Sequence, residues 1–473
     1  MSGLDPRACR DVVEQIEALH SFGKVSKVVG LVAEGSGLNA PLGAVCHILP
    51  EDGRTIAAEA VGFRDGKVLF MPYGDMRGVK SGSLIRNSSL PPVFPACPQL
   101  LGRTLDAFGN ALDGGPSLGA RQADLLPNVE IQGNFAAPTT VAADLTRTGR
   151  VPAWRQGASP LYADPPSPLQ RPRISDVLDV GVRSINALLT LGKGQRMGIM
   201  AGSGVGKSTL MGMMARYTAA DVNVIGLIGE RGREVLEFIE KDLGAEGMAR
   251  SVVIVATSDQ SPLVRMRAAY AATAAAEYFR DHGLDVLLMM DSITRFAMAA
   301  REVGLAVGEP PTTKGYTPTV FAQLPKLLER AGRSDKGTIT GIYTVLVDGD
   351  DFNEPIADAS RSILDGHIVL TRDLADQGHF PAIDVLRSIS RLRADICSQE
   401  SIRNGQALLR HLATYRRVED MINIGAYAQG SNQDIDRAIV MAPRINEFLR
   451  QDVADRQPFA ACEEKMAALA QQG

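Results

Sequence analysis

The stretch AGSGVGKSTL, Ala201–Leu210, constrains the fold more than any other part of the chain. An apolar run, MGIM, leads into it and a helical pattern, KSTLMGMMARYT, leaves it. A strand, a glycine-rich loop and a helix in that order point successive backbone N–H groups inward at a helix N-terminus, which makes a nest for anions. Gly202, Gly204 and Gly206 permit the bend, and Ser203, Val205 and Thr209 complete the loop and the start of the helix. Lys207 is spaced to reach the β- and γ-phosphates of a nucleotide, and the Ser208 hydroxyl to ligate Mg²⁺. Ala201 stands where the usual pattern has glycine; a methyl group is small, so the loop is expected to survive. The stretch predicts a site for ATP with Mg²⁺.

Such a loop needs a sheet behind it. From about Ile174 to Arg391, apolar runs (RMGIMAG, NVIGLIGE, SVVIVATS, DVLLMMDS, ITGIYTVLVDGD, HIVLTRD) alternate with helical patterns. Near-continuous apolar strands between helices predict a parallel sheet buried on both faces, so this segment, 174–391, reads as an α/β core. Before it, residues 24–95 carry short valine-rich runs punctuated by glycine, which predict a small β-barrel. Residues 96–173 read as a connector: LGRTLDAFGNALDG is turn-rich, Ser117 to Ser159 has no assignable pattern, and DPPSPLQRPR is an extended lead-in. Residues 392–473 read as a C-terminal helical domain. At the other end, Cys9, Val12, Val13, Ile16 and Leu19 share one helical face, so 1–23 predicts a short amphipathic helix. That helix either packs on the protein itself or serves as a handle for a partner.

Carboxylates at strand ends supply the remaining chemistry. Asp291 closes VLLMMD, where ligand groups sit in sheets of this kind. It is the candidate second ligand to Mg²⁺, the alternative being a cap for the helix that follows. Glu230 closes GLIGE and precedes Arg231. It is placed to polarise an attacking water, or to serve a helix N-terminus.

Composition excludes several classes. The net charge is −4, so general affinity for nucleic acid or an anionic membrane is not expected. The five cysteines, Cys9, Cys46, Cys97, Cys397 and Cys462, are scattered without a CxxC pair, which argues against disulfides or zinc and for a reducing cytosol. No apolar run approaches the ~18 residues of a membrane helix, and no secretory signal opens the chain.

Together, AGSGVGKST, GLIGERGREV, MMDSITRFAMAAREV and GYTPTVFAQLPKLLERAG resemble the rotary ATP synthase catalytic-subunit superfamily. Within it they are most similar to the type III protein-export ATPases, above all the flagellar branch. The resemblance is weak over 24–114 and strong from Pro165 to about Asn446. It implies a RecA-like P-loop core between a β-barrel and a helical domain. It implies Glu230 as the water-activating glutamate with Arg231 beside it. PAIDVLRSISR implies Arg391 as an arginine finger reaching a neighbouring subunit's γ-phosphate, and GHFPA implies Phe380 against the adenine ring.

By the same resemblance the partners are further copies of this chain in a hexamer, a stator-like regulator at the N-terminal helix, a central stalk protein, export chaperones with their substrates, and the membrane export gate. The expected setting is the cytoplasmic face of the membrane. Hydrolysis is expected to power flagellar protein export by unloading chaperone–substrate complexes. A virulence injectisome ATPase is the nearest alternative, and a nucleotide-binding rotary subunit without turnover is a second; Glu230 speaks against the latter. A nucleic-acid translocase is disfavoured by the acidic balance and the absence of a basic–aromatic platform.

Overall fold

The computed structural model describes residues 22–88, 92–116, 118, 140–151, 153–155, 157–347 and 354–472. The amphipathic helix expected over 1–23 lies outside them, except for its last two residues. Phe22 and Gly23 open a strand instead, because they pair with Arg86 and Ile85 and so close a barrel. The chain forms two compact units, one of residues up to Pro92 with Val303–Glu309, the other of Val93–Glu302 with Pro310–Gly473.

The first unit is a closed antiparallel barrel of β1 (Phe22–Val29), β2 (Val32–Ser36), β3 (Val45–Leu49), β4 (Ile56–Arg64), β5 (Lys67–Pro72) and β6 (Leu84–Asn87), in the order β1-β2-β5-β4-β3-β6. Val25, Ala33, Ile48, Ala58, Phe70 and Ile85 fill its interior. Gly35 is required there: a Cβ would stand 2.6 Å from Ile85 Cδ1 and 2.7 Å from Phe70 Cε2.

The second unit is built on a nine-stranded sheet. A ribbon of β7 (Val93–Ala96) with β9 (Gly157–Pro160), the edge strand β8 (Arg103–Asp106), and the short pair β10 (Val177–Leu178) and β11 (Leu191–Gly192) precede its main strands. These are β12 (Arg196–Ala201), β13 (Val222–Ile228), β14 (Ser251–Ala256), β15 (Asp285–Asp291), β16 (Gly332–Arg333), β17 (Thr338–Leu346), β18 (Gly366–Leu370) and β19 (Ile389–Ser390). The order is β19-β18-β12-β17-β15-β13-β14-β8, with β16 on β17. The run β18 to β8 is parallel, as the apolar strands predict.

Two strands escape the apolar pattern. β8, within the turn-rich connector, joins the sheet edge beside β14 because Gly102 N–H donates to Ser251 O at 2.8 Å and Arg103 pairs with Asp113 at 2.7 Å. β9, sequence GASP, pairs with β7. Part of the unassigned segment packs on the core: Thr140–Arg147 is a helix, and Trp154 stacks on Tyr278 and meets Phe279 edge-on.

C-terminal helices Gln399–Asn423, Gln433–Leu449 and Phe459–Ala470 bury Leu408, Met441, Ile445 and Met466 in the same core cluster as Ile199 and Leu210 of the nucleotide-binding sheet. No helix among the described residues is long and apolar enough to cross a membrane.

One buried ion pair ties the segment just after β9 to this sheet's helices. Arg330, 1% exposed, donates to both Glu277 carboxylate oxygens, at 2.9 and 2.5 Å, and to Leu161 O at 2.6 Å. Removing the cation strands a buried carboxylate. Arg330→Met is therefore expected to destabilise this unit by about 3–5 kcal/mol, and adding Glu277→Leu to recover much of the loss. Denaturant unfolding of the two variants checks this; equal stability of Arg330→Met and the parent would refute it.

Candidate active site

β12 is central in the sheet, flanked by β17 and β18, and the loop leaves its C-terminal end. Gly204 and Gly206 adopt φ of +79° and +89°, a region closed to most side chains. The helix Lys207–Tyr217 begins directly after Gly206. Val205 turns into the core at 2% exposure and does not line the cavity, so only its backbone faces an anion. Ala201 is fully buried as the last residue of β12, with no room taken from the loop.

The loop encloses a cavity of about 420 Å³, lined also by Glu230, Glu234, Ser258 and Arg295. Its acids arrive from two neighbouring parallel strands. In the register of β13 with β15, Leu227 faces Asp291, and Glu230 follows just beyond the end of β13. Lys207 Nζ donates to Asp291 Oδ1 at 2.6 Å and lies 3.7 Å from Glu230 Oε1. The three side chains are 12%, 5% and 14% exposed, in the order Lys207, Asp291, Glu230. Thr344 Oγ1 also donates to Asp291 Oδ1, at 2.6 Å. Glu230 Oε1 is buried without a hydrogen-bond partner. Burial first, and the Asp291 charge second, push the Glu230 carboxyl up to about 7, with Lys207 opposing.

The other predicted residues divide. Ser208 and Thr209 line the cavity; the Thr209 side chain also bonds the Asp242 carboxylate. Phe380, 46% exposed, places ring carbons 3.8 and 3.9 Å from where a Cβ on Gly206 would stand, so an open aromatic face lies against the loop. Arg231 is at the cavity rim, its side chain 82% exposed and 3.6 Å from Glu234. Arg391 is not at this cavity. Its N–H donates to Asp365 O at 3.0 Å and its guanidinium to Arg361 O at 3.1 Å. Asp365 also binds Arg196, at the opposite end of β12 from the loop.

Two residues that the sequence reading did not single out stand in the site. Arg295 lines the cavity with a buried Nε that has no hydrogen-bond partner. Its position, one helical turn beyond Asp291 in MMDSITRF, is a signal that spacing alone carries. Thr344 has no such signal, since it reaches Asp291 only through the pairing of β15 with β17.

A nest of N–H groups, Lys207 and Arg295, whose Nε is buried, suit a polyphosphate. A serine hydroxyl with a buried carboxylate offers the hard oxygen donors that suit Mg²⁺, which binds through one or two protein oxygens plus substrate phosphates.

Comparison with known proteins finds a nucleotide-binding domain over the same residues. Residues 181–390 match the ATP synthase alpha/beta family nucleotide-binding domain, 25–88 its beta-barrel domain, and 397–468 the T3SS EscN ATPase C-terminal domain. The flagellum-specific ATP synthase of Bacillus subtilis is 50% identical, with 97% of each chain covered. That of Salmonella typhimurium is 47% identical, covering 93% of this chain and 92% of the relative. The type 3 secretion system ATPase of Xanthomonas euvesicatoria is also 47% identical, covering 91% and 90%. Among solved structures, the assembled ATPase EscN of the enteropathogenic E. coli type III secretion system aligns with a TM-score of 0.83 at 40% identity, over 95% of this chain and all of that one. EscN in complex with its central stalk EscO aligns with a TM-score of 0.80 over the same shares. With the fold, the phosphate loop and relatives of this identity over nearly its full length in agreement, the chain belongs to the ATP synthase alpha/beta family, among its flagellar and type III secretion ATPases.

Proposed function

We propose that this type III export ATPase hydrolyses Mg-ATP at a site shared between two copies of the chain, and that the reaction serves flagellar protein export. The observation that carries the reading is Glu230: a buried carboxylate oxygen without a hydrogen-bond partner, at the edge of a phosphate loop, 3.7 Å from Lys207. In this reading the loop N–H groups and Lys207 hold the β- and γ-phosphates, with Arg295 facing the terminal one. Ser208 and Asp291 hold Mg²⁺, which neutralises charge on the phosphates when bound. Glu230 accepts a proton from the attacking water, Arg231 stands at its rim, and Phe380 stacks on the adenine.

Arg391 serves another copy. β12 spans six residues, Arg196 to Ala201, and at about 3.3 Å per residue the two ends stand about 17 Å apart. Arg391 is held at the end remote from its own phosphate loop, so in this reading its guanidinium exchanges the Arg361 carbonyl for a neighbour's γ-phosphate. A hexamer built this way has six equivalent sites. The wider reading gives it a barrel that begins at Phe22, an ATPase core (174–391) and helices (392–473), with the segment before the barrel for a stator-like regulator. A central stalk, chaperone–substrate complexes to be unloaded and the membrane export gate complete its partners at the cytoplasmic face. Service in an injectisome is the second reading, favoured by the match of 397–468 to the type III secretion C-terminal domain.

Glu230→Gln is expected to lower kcat by about 10²–10⁴ while nucleotide still binds; a loss of binding to match would assign Glu230 to ligand affinity instead. The raised carboxyl sets the pH dependence. Below about 7 Glu230 holds its proton and cannot accept another; above it the base form dominates. So kcat/KM of the parent should rise with pH through about 7 and then level. A profile flat from pH 5.5 to 8.5 would remove Glu230 as the base.

Complementation tests the shared site. Arg391→Ala and Glu230→Gln should each be nearly inactive, the first because a finger contributes about 10³–10⁵ in rate. Mixed rings of the two should regain activity, because some interfaces then pair an intact finger with an intact Glu230. Mixed rings, shown by sizing to contain both variants, that stay inactive would refute the arrangement.

A further inference from the structure

We infer that Thr344 is a positioning residue for the Asp291 carboxylate and sets how strongly Mg²⁺ tightens nucleotide binding; the inference rests on the reading of Asp291 given above. Thr344 is fully buried in β17, the strand between the one that carries the phosphate loop and the one that ends in Asp291. Its hydroxyl donates to Asp291 Oδ1 at 2.6 Å. Met290 O lies at 3.4 Å, a much weaker alternative acceptor.

Asp291 Oδ1 thus takes two donors of different kinds. Lys207 Nζ is on a long, flexible stem and belongs to the phosphates once they arrive. The threonine hydroxyl is on a β-branched side chain, stiff at χ1, within a sheet. When the ammonium turns to phosphate, Thr344 remains as the donor that keeps one carboxylate oxygen engaged and so limits rotation of the carboxylate. A hydrogen bond to a charged acceptor is among the stronger ones, and it is made here in a buried site. Without it the carboxylate is free to rotate after Lys207 leaves, and the loss falls on the state with metal and nucleotide bound together. Nucleotide alone contacts the loop and Lys207, not Thr344, so its affinity should be insensitive.

The test separates these states. A fluorescent ATP analogue is titrated by anisotropy into the assembled parent, Thr344→Val, Thr344→Ala and Thr344→Ser, each with Mg²⁺ and with EDTA, and steady-state kinetics are run alongside. For Thr344→Val and Thr344→Ala we expect metal-free affinity within about twofold of the parent. The gain in affinity on adding Mg²⁺ should shrink by about fivefold or more, and kcat fall by about tenfold. Thr344→Ser, which keeps the hydroxyl, should restore both. An undiminished Mg²⁺ gain in the hydroxyl-free variants overturns the inference. So does an equal loss with and without metal, a failure of serine to rescue, or failure of both hydroxyl-free variants to fold, each of which would make Thr344 a core residue only. If Mg²⁺ leaves the parent's own affinity unchanged, the reading of Asp291 as a metal ligand fails first, a result distinct from these.

Discussion

Lys207 donating to Asp291 at the mouth of the sheet is the interaction on which the rest of the site depends. A buried ammonium without a carboxylate, or the reverse, is costly enough to unfold or neutralise the group. The pair is tolerable because parallel pairing of β12, β17, β15 and β13 brings their C-terminal ends side by side, so a lysine from one loop meets carboxylates from two other strands. Once that pair is formed, Glu230 keeps a share of Lys207 at 3.7 Å, while burial, the Asp291 charge and a hydrogen bond with Glu234 oppose its ionisation. Its raised proton affinity follows. The same burial that would be a defect in a structural core gives a carboxylate able to exchange a proton near neutral pH.

The nucleotide-free arrangement also holds the cation in reserve. Lys207 stays ordered against Asp291 until a phosphate competes for it, which spares the site the cost of fixing a long side chain at the moment of binding. Thr344 and Lys207 acting on one oxygen divide the work between a fixed donor and a movable one.

Much of the fold was legible because burial on both faces of a parallel sheet leaves unbroken apolar runs, and because a phosphate loop tolerates few residues at its turns. Glycines at 204 and 206 are there for positive φ, and the helix starts at Lys207 as the spacing requires. β8 and β9 were not legible. RTLD and GASP have no apolar pattern, and their strand character comes from partners distant in sequence: Ser251 and the β14 edge for one, β7 for the other. Phe22 and Gly23 fell on the wrong side of a helix–strand boundary for the same reason, since only β6 tells them they are strand. Within the site, the residues carried by a local motif could be read directly, whereas Thr344 could not, because its meeting with Asp291 is a fact of strand register.

Arg391 shows how far a motif and a geometry can each go. The sequence resemblance gives it a role at a neighbour's site but no position in the fold. The sheet gives its position: the SISR segment pairs beside Gly366, at the entry end of β18, while the phosphates belong at the exit end of β12. An arginine held there by Asp365 and Arg361 backbone oxygens has no short path to its own loop. In the proposed shared site, activity depends on assembly without any separate inhibitory element, because Arg391 stands away from the chain's own phosphate loop. On the proposed reading, forming the ring is the step that completes the site.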